Sequence, residues 1–332
     1  MSDPSRILLV SLDNVGDLVF ASALAPALRE RFPSAPLDLW CKAYAADVGR
    51  LVPGVSRVIA SDPFWDRAPG GSKGKVGPFL RALREIRRAR YDLAVLASSQ
   101  WRVAAALAMV GVPARIARQR RRNHRWLTHV LPEEDRSRPV VAELGRIAHA
   151  LGATPCSRYR LDPAPLAERR AAVASVIPGP RRVALHAFAG SRARCVGVSA
   201  WRALGEALVR RDVDVVWIGS RGELDEIRAG GVSRRWHFAD TIGNGSLFDS
   251  AALIALCDAF VGHDSGPLHI AAGLGVPVLG IFTPGEPNRT FPQGPGASRI
   301  IARVAPDGVT AEVMLAELEL LKPLGPSTLA HR

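Results

Sequence analysis

Three tyrosines, three methionines and four cysteines are all that this chain of 332 residues contains of those types. The cysteines, Cys41, Cys156, Cys195 and Cys257, lie far apart, with no CxxC pair and no histidine pattern beside them. That spacing argues against a disulfide framework and against a zinc site, and it fits reduced, structural thiols. Long apolar runs are lacking too. The longest, residues 251–262, is interrupted by Asp258 and falls short of the roughly 20 residues that cross a bilayer. The opening MSDPSRILLVSL has an early acid and only a short apolar run, so it reads as a first strand and not as a secretion signal. The expectation is a soluble, cytoplasmic protein. Glycine is scarce where a dinucleotide fold needs it: between residues 11 and 17 only Gly16 is present, which disfavours an NAD or FAD enzyme.

Acidic charge is in deficit. Lys and Arg number 44 against 31 Asp and Glu, a net of +13. Residues 1–165 hold 26 basic and 15 acidic residues, so nearly all the excess sits in the first half. A surface of that kind faces an anionic partner, or it is a solvated, arginine-rich exterior.

What is present is ordinary globular material, 48% hydrophobic and 23% charged, in a length that favours two cores over one. Short apolar runs at 7–12, 37–40, 58–60, 93–96 and 115–117 read as strands, separated by amphipathic segments at 18–31 and 77–90. The pattern resets after the proline-rich stretch 162–180, a linker candidate. Further strands are expected at 183–187, 213–218, 236–238, 259–262, 278–282 and 300–302, with helices at 201–210, 247–256 and 310–321. Strands alternating with helices imply parallel sheets covered on both faces. The expected fold is α/β, two Rossmann-like, doubly wound domains (1–165 and 166–332) facing across a cleft, with the last helix near their junction. Ligands in such sheets bind at the carboxyl ends of strands.

Two strand-to-helix turns carry candidate chemistry. In the first, Asp17 stands where a helix begins. It is either an N-cap or a carboxylate that takes a proton from a hydroxyl nucleophile, and Asp13 competes for both roles. The second is Asp264-Ser265-Gly266-Pro267-Leu268-His269. Ser265 and Gly266 would offer backbone N–H groups at a helix start, an anion site through free donors and macrodipole, and His269 could donate to a phosphate or sugar oxygen. The plainer alternatives are N-capping by Asp264 and Ser265 and a satisfied buried His269. Two more strand-end loops converge on that edge. One holds Gly190, Ser191 and Arg194, small residues plus a guanidinium suited to phosphate. The other holds Glu223, suited to ribose hydroxyls. A loop at 282–287 completes the set. In the basic half, Lys73 and Lys75, and Arg120, Arg121 and Arg122 within the stretch 118–126, are either an acceptor-binding surface or a solvated charge run.

The segment 7–19 with Ala27-Leu28-Arg29-Glu30-Arg31-Phe32-Pro33, and the segment 264–272 with Pro277 and the Phe282 loop, resemble glycosyltransferase family nine, the ADP-heptose:lipopolysaccharide heptosyltransferases. The resemblance spans about residues 6–295. It implies a GT-B architecture and an inverting, metal-independent transfer from an ADP-heptose donor to an anionic lipopolysaccharide-type glycolipid or glycan. It implies no cofactor beyond the nucleotide sugar, no nucleic-acid partner, and peripheral contact with the cytoplasmic face of the inner membrane. It assigns the base to Asp17 over Asp13, and donor contacts to Asp264, Ser265, Gly266, His269 and Glu223. One departure stands out: the family's usual Lys-Arg-Trp-Pro is replaced by Arg194-Cys195-Val196-Gly197. Pro26 also lies some three residues beyond the family's usual proline. Rival readings are a sugar-nucleotide epimerase on the same scaffold, which needs no acceptor, and a non-catalytic protein binding nucleic acid through its basic half. The charge run has few interleaved aromatics, which weakens the latter.

Overall fold

A computed structural model of the chain describes residues 3–67, 73–243, 245–283 and 287–321. It divides into two compact units, 1–162 and 163–332.

Unit 1 runs β1 (Ile7–Ser11), α1 (Val15–Ala21), α2 (Leu24–Arg31), β2 (Leu37–Cys41), α3 (Ala46–Gly49), β3 (Val55–Ala60), α4 (Val76–Ala89), β4 (Leu93–Leu96), α5 (Trp101–Met109), β5 (Ala114–Arg118), β6 (His129–Leu131) and α6 (Val140–Ala150). Its six parallel strands lie in the order β3-β2-β1-β4-β5-β6. β1 and β4 are buried along their whole length, which is why they read as continuous apolar runs instead of alternating ones. Trp40, Phe79, Ile86, Leu96 and Val103 fill the core on the face that α4 covers.

Unit 2 runs α7 (Ala167–Ala174), β7 (Arg182–His186), α8 (Val198–Val209), β8 (Asp214–Trp217), α9 (Arg221–Arg228), β9 (Trp236–Phe238), α10 (Ala239–Ile242), α11 (Leu247–Ile254), β10 (Ala259–His263), α12 (Gly266–Gly273), β11 (Val278–Phe282), α13 (Pro287–Thr290), β12 (Ser298–Ala302) and α14 (Ala311–Leu320). Its order, β12-β11-β10-β7-β8-β9, repeats the first sheet's topology. Trp201, Trp217 and Trp236 anchor its core, the last two edge-to-face at 5.2 Å. α14 packs on α8 and β12, with Met314 and Leu318 in that same core.

Three expectations change. The amphipathic stretch 18–31 is two helices. Ser22 Oγ donates to the Val19 and Arg160 carbonyls at 2.6 and 3.0 Å, which favours a break there. Pro26 then falls in the first turn of α2, where a missing N–H costs nothing. The strand β6 is unforeseen, being three residues long and mostly exposed at the sheet edge. The proline-rich stretch is no bare linker: it folds α7, which packs on α11 and whose Arg169 pairs with Asp249 at 2.5 Å.

Candidate functional site

In unit 1 the strand order reverses between β1 and β4, and a cavity of about 510 Å³ opens over that point. Five strand ends supply its wall. The loop after β1 gives Asp13, Asn14 and Asp17; Lys42 follows β2; Trp65, Asp66 and Arg67 follow β3. Ser99 to Arg102 follow β4, and Arg120 and Arg121 follow β5.

Asp17 is at the third position of α1, not at its cap. Asn14 is the cap, and the Asp17 carboxylate accepts from the Asn14 backbone N–H at 3.2 Å, closing a capping box. Asp17 is nonetheless exposed, with its carboxylate on the cavity wall. Asp13 is half-buried and accepts from Gln100 Nε2 at 2.7 Å. Tyr44 fixes the loop between them: its hydroxyl accepts from the Val15 N–H at 2.9 Å and donates to Asn14 Oδ1 at 3.4 Å. Burial pushes its phenol up to about 12, against the lowering effect of the Val15 N–H and with help from the charges of Asp17, Asp62 and Asp13. It therefore stays a neutral donor.

The rest of the wall carries five cations, Lys42, Arg67, Arg102, Arg120 and Arg121, and one further acid, Asp66. Lys42 is buried and bridges Asp66 at 2.8 Å. Partial burial opposes ionisation of Asp66, but hydrogen bonds from Lys42 and the Arg67 N–H, with the Lys42 charge, outweigh it and hold that carboxyl below its usual range. Arg102 lies over the rings of Trp101 and Trp65 at 5.1 and 5.8 Å, a stack that orients the guanidinium. Arg121 has φ +54°, a left-handed conformation uncommon for a residue with a side chain. Buried Asn123 holds this turn. It donates to the Arg118 and Ser99 carbonyls at 2.8 and 3.3 Å and accepts from the Arg120 N–H at 2.9 Å.

Of the expected acceptor residues, Arg120 and Arg121 line this cavity, whereas Arg122, Lys73 and Lys75 are exposed elsewhere. Arg118 leaves the solvated run altogether: it is buried, pairs with Glu134 at 3.0 Å and donates to the Ala97 carbonyl at 2.8 Å. Lys42, Arg67 and Arg102 were missed, because each is an isolated cation whose one signal is its place just beyond a strand.

In unit 2 the corresponding reversal lies between β7 and β10. Beside it Ala189, Arg194, His263, Asp264 and Thr283 border a small cavity. α12 starts at Gly266 with Ser265 as its cap and Pro267 in its first turn. Proline has no N–H, so the helix start offers the donors of Ser265, Gly266 and Leu268. Asp264 is not a cap: its two oxygens accept from Thr290 Oγ1 at 3.0 Å and bond His269 Nε2 at 3.1 Å. His269 is buried in that pair. Gly190, Ser191 and Arg194 stand on the exposed loop after β7. Glu223 closes the capping box of α9, accepting from Ser220 N–H and Oγ at 2.8 Å through Oε2. The loop at 282–287 lies partly outside the described residues, since 284–286 are not among them.

The stretch that replaces Lys-Arg-Trp-Pro is tied down through two of its backbone groups and one side chain. Val196 N–H donates to His263 Nε2 at 3.1 Å, Ala189 N–H to Cys195 Sγ at 3.3 Å, and Thr283 Oγ1 to the Arg194 carbonyl at 2.9 Å. Burial lowers the His263 imidazole to about 4, aided by the neighbouring His186. His186, bonded to the Ile218 carbonyl, is itself lowered by burial.

Two parallel sheets of like order, each with its polar loops at the switch point, place the chain in the GT-B class of two-domain α/β enzymes. It belongs to glycosyltransferase family 9 (heptosyltransferase), whose model matches residues 79–308, and it is a glycosyltransferase. It is 24% identical over 306 residues to lipopolysaccharide heptosyltransferase 2 of Escherichia coli K12, covering 86% of this chain and 85% of that protein. Among solved structures, a family 9 glycosyl transferase from Veillonella parvula superposes with a TM-score of 0.82 at 15% identity, over 97% of this chain and 98% of the other. The E. coli ADP-heptose lps heptosyltransferase II superposes at 0.78 and 20% identity, over 95% and 98%. Among the described residues no helix is long and apolar enough to cross a membrane.

Proposed function

We propose that this enzyme moves a heptose from ADP-heptose to a hydroxyl of an anionic, lipopolysaccharide-type glycan, inverting the anomeric carbon and using no metal. The observation that carries the reading is an exposed carboxylate, Asp17, on the wall of a pocket that also presents Arg67, Arg102, Arg120 and Arg121, while the other two acids there, Asp13 and Asp66, are engaged by Gln100 and Lys42. The acceptor's phosphates or carboxylates are held by Arg67, Arg102, Arg120 and Arg121, while its hydroxyl meets Asp17.

Unit 2 takes the nucleotide. The diphosphate lies at the start of α12, where unshared N–H groups and the helix dipole favour negative charge, and Arg194 adds a guanidinium. Asp264 is a positioning residue: its pairing with His269 and Thr290 fixes the loop that presents those donors. Gly190 and Ser191 permit close approach. Glu223 uses Oε2 for its own helix cap, so ribose hydroxyls meet Oε1.

In the transfer step the acceptor oxygen forms a bond to the anomeric carbon as the bond from that carbon to the diphosphate oxygen breaks. The electron pair leaves on ADP and the acceptor proton passes to Asp17. A positioned base contributes about 10²–10⁴-fold, and stabilising the leaving diphosphate is the larger effect.

A panel of nucleotide sugars tests the donor by thermal stabilisation; a ligand at 100 times its Kd adds about 2.7 kcal/mol. ADP-heptose should stabilise the protein, and ADP should be released only when a lipopolysaccharide-core acceptor is added. Stabilisation by UDP-sugars and not by ADP-heptose would refute the donor. Turnover without acceptor would point to an epimerase.

A further inference from the structure

The helix α4 turns Phe79, Ala82, Leu83 and Ile86 into the core of unit 1. Its outward side carries Arg81, Arg84, Arg87 and Arg88, all exposed and none in an ion pair among the described residues. The helix's one acid, Glu85, is already engaged by Arg57 at 3.0 Å. Val76 and Leu80, one turn apart on that same outward side, are 52% and 42% exposed. Phe64, 38% exposed, packs edge-on against Phe79 at 5.7 Å beside them.

A row of unanswered guanidinium groups next to three exposed apolar side chains is the composition of a surface that lies in a headgroup region. We propose that this face of α4 docks on an anionic lipid bilayer, with the arginines on lipid phosphates and Phe64, Val76 and Leu80 at the acyl boundary. A second copy of the chain does not fit, because identical uncompensated arginines would oppose one another. A nucleic acid would answer the arginines but would leave the aliphatic pair without a partner. Phe64 and Phe79 both touch Trp65, at 4.8 and 5.0 Å, and Trp65 lines the cavity that holds Asp17. Docking therefore sets that cavity beside the bilayer from which a lipid-linked acceptor would come. That last consequence rests on the function proposed above, whereas the docking itself does not.

The test is co-sedimentation of the full chain with phosphatidylglycerol-containing vesicles, with pure phosphatidylcholine vesicles and duplex DNA as comparators. Binding should require the anionic lipid and weaken with added salt. Each basic charge near such a surface is worth roughly fivefold in affinity, so R81A/R84A/R88A should weaken binding on the order of a hundredfold. Leu80→Asp should weaken it too, while ADP affinity and melting temperature stay unchanged in both variants. Equal binding to phosphatidylcholine, undiminished binding by the triple variant, or a preference for DNA over vesicles would each overturn the proposal. Vesicle binding is read without turnover, so it stands or falls apart from the transfer activity.

Discussion

Asp17 and Asp13 face one cavity, and replacing each by asparagine decides which is the base. Asn has nearly the same shape and keeps one carbonyl oxygen as acceptor. In Asp17→Asn the capping box is weakened at an exposed bond of 3.2 Å to Asn14. Loss of a cap interaction costs about 0.5–1 kcal/mol, which in a domain of this size lowers Tm by roughly 2–4 °C per kcal/mol. Loss of a general base costs about 10²–10⁴ in turnover, equivalent to roughly 3–5 kcal/mol. Rate and stability are thus separable by several-fold in energy. In Asp13→Asn the bond from Gln100 survives, and turnover should stay within about tenfold of wild type, as for a spectator. The assay combines single-turnover transfer, ADP calorimetry and thermal melts on both variants. ADP affinity should be unchanged in both, because the nucleotide site proposed above belongs to unit 2. If Asp17→Asn keeps turnover within about tenfold while Asp13→Asn loses about a hundredfold or more, the assignment is wrong.

Other outcomes follow from the same structure. His263 is neutral in the fold, its pKa depressed from 6.5 to about 4. An unfolded chain binds that proton and the folded one does not, so stability is full above pH 6.5 and falls as pH drops towards 4, by on the order of 3 kcal/mol. Urea melts at pH 7 and pH 5 should show the loss, and H263Q should flatten the slope. Arg121→Gly relieves a left-handed backbone worth roughly 1 kcal/mol but loosens the unfolded chain by a similar amount. It should leave Tm nearly unchanged while raising KM for an anionic acceptor. Gly294→Ala would place a Cβ 1.8 Å from the Ala272 carbonyl oxygen at the end of α12. Overpacking of this kind costs about 1–3 kcal/mol or more, and chemical denaturation should show it together with weaker ADP binding.

Much of the fold is legible in the residue pattern, because central parallel strands are apolar on both faces. β1, β4, β10 and β11 stand out as unbroken runs. β6 does not, since its residues face solvent at an edge and carry no burial signal. The turns that follow β1 and β10 are likewise legible, as polar residues compressed between a strand and a helix. The cavity wall is less so. Lys42, Arg67 and Arg102 come together only because the order β3-β2-β1-β4-β5 brings their strand ends side by side, and no local pattern encodes a neighbour relation of that range. Glu223 shows the converse. A carboxylate beyond β8 suits a ribose, yet the same residue three places after Ser220 is equally a helix cap, and the structure uses it so.

The imidazole of His263, seated beneath residues 194–197, grips a peptide N–H instead of any side chain. A clasp on the main chain is indifferent to which residues decorate it. At position 196 that clasp therefore survives a change of side chain, whereas position 195 contributes its own, through Cys195 Sγ, to the tie with the Ala189 N–H.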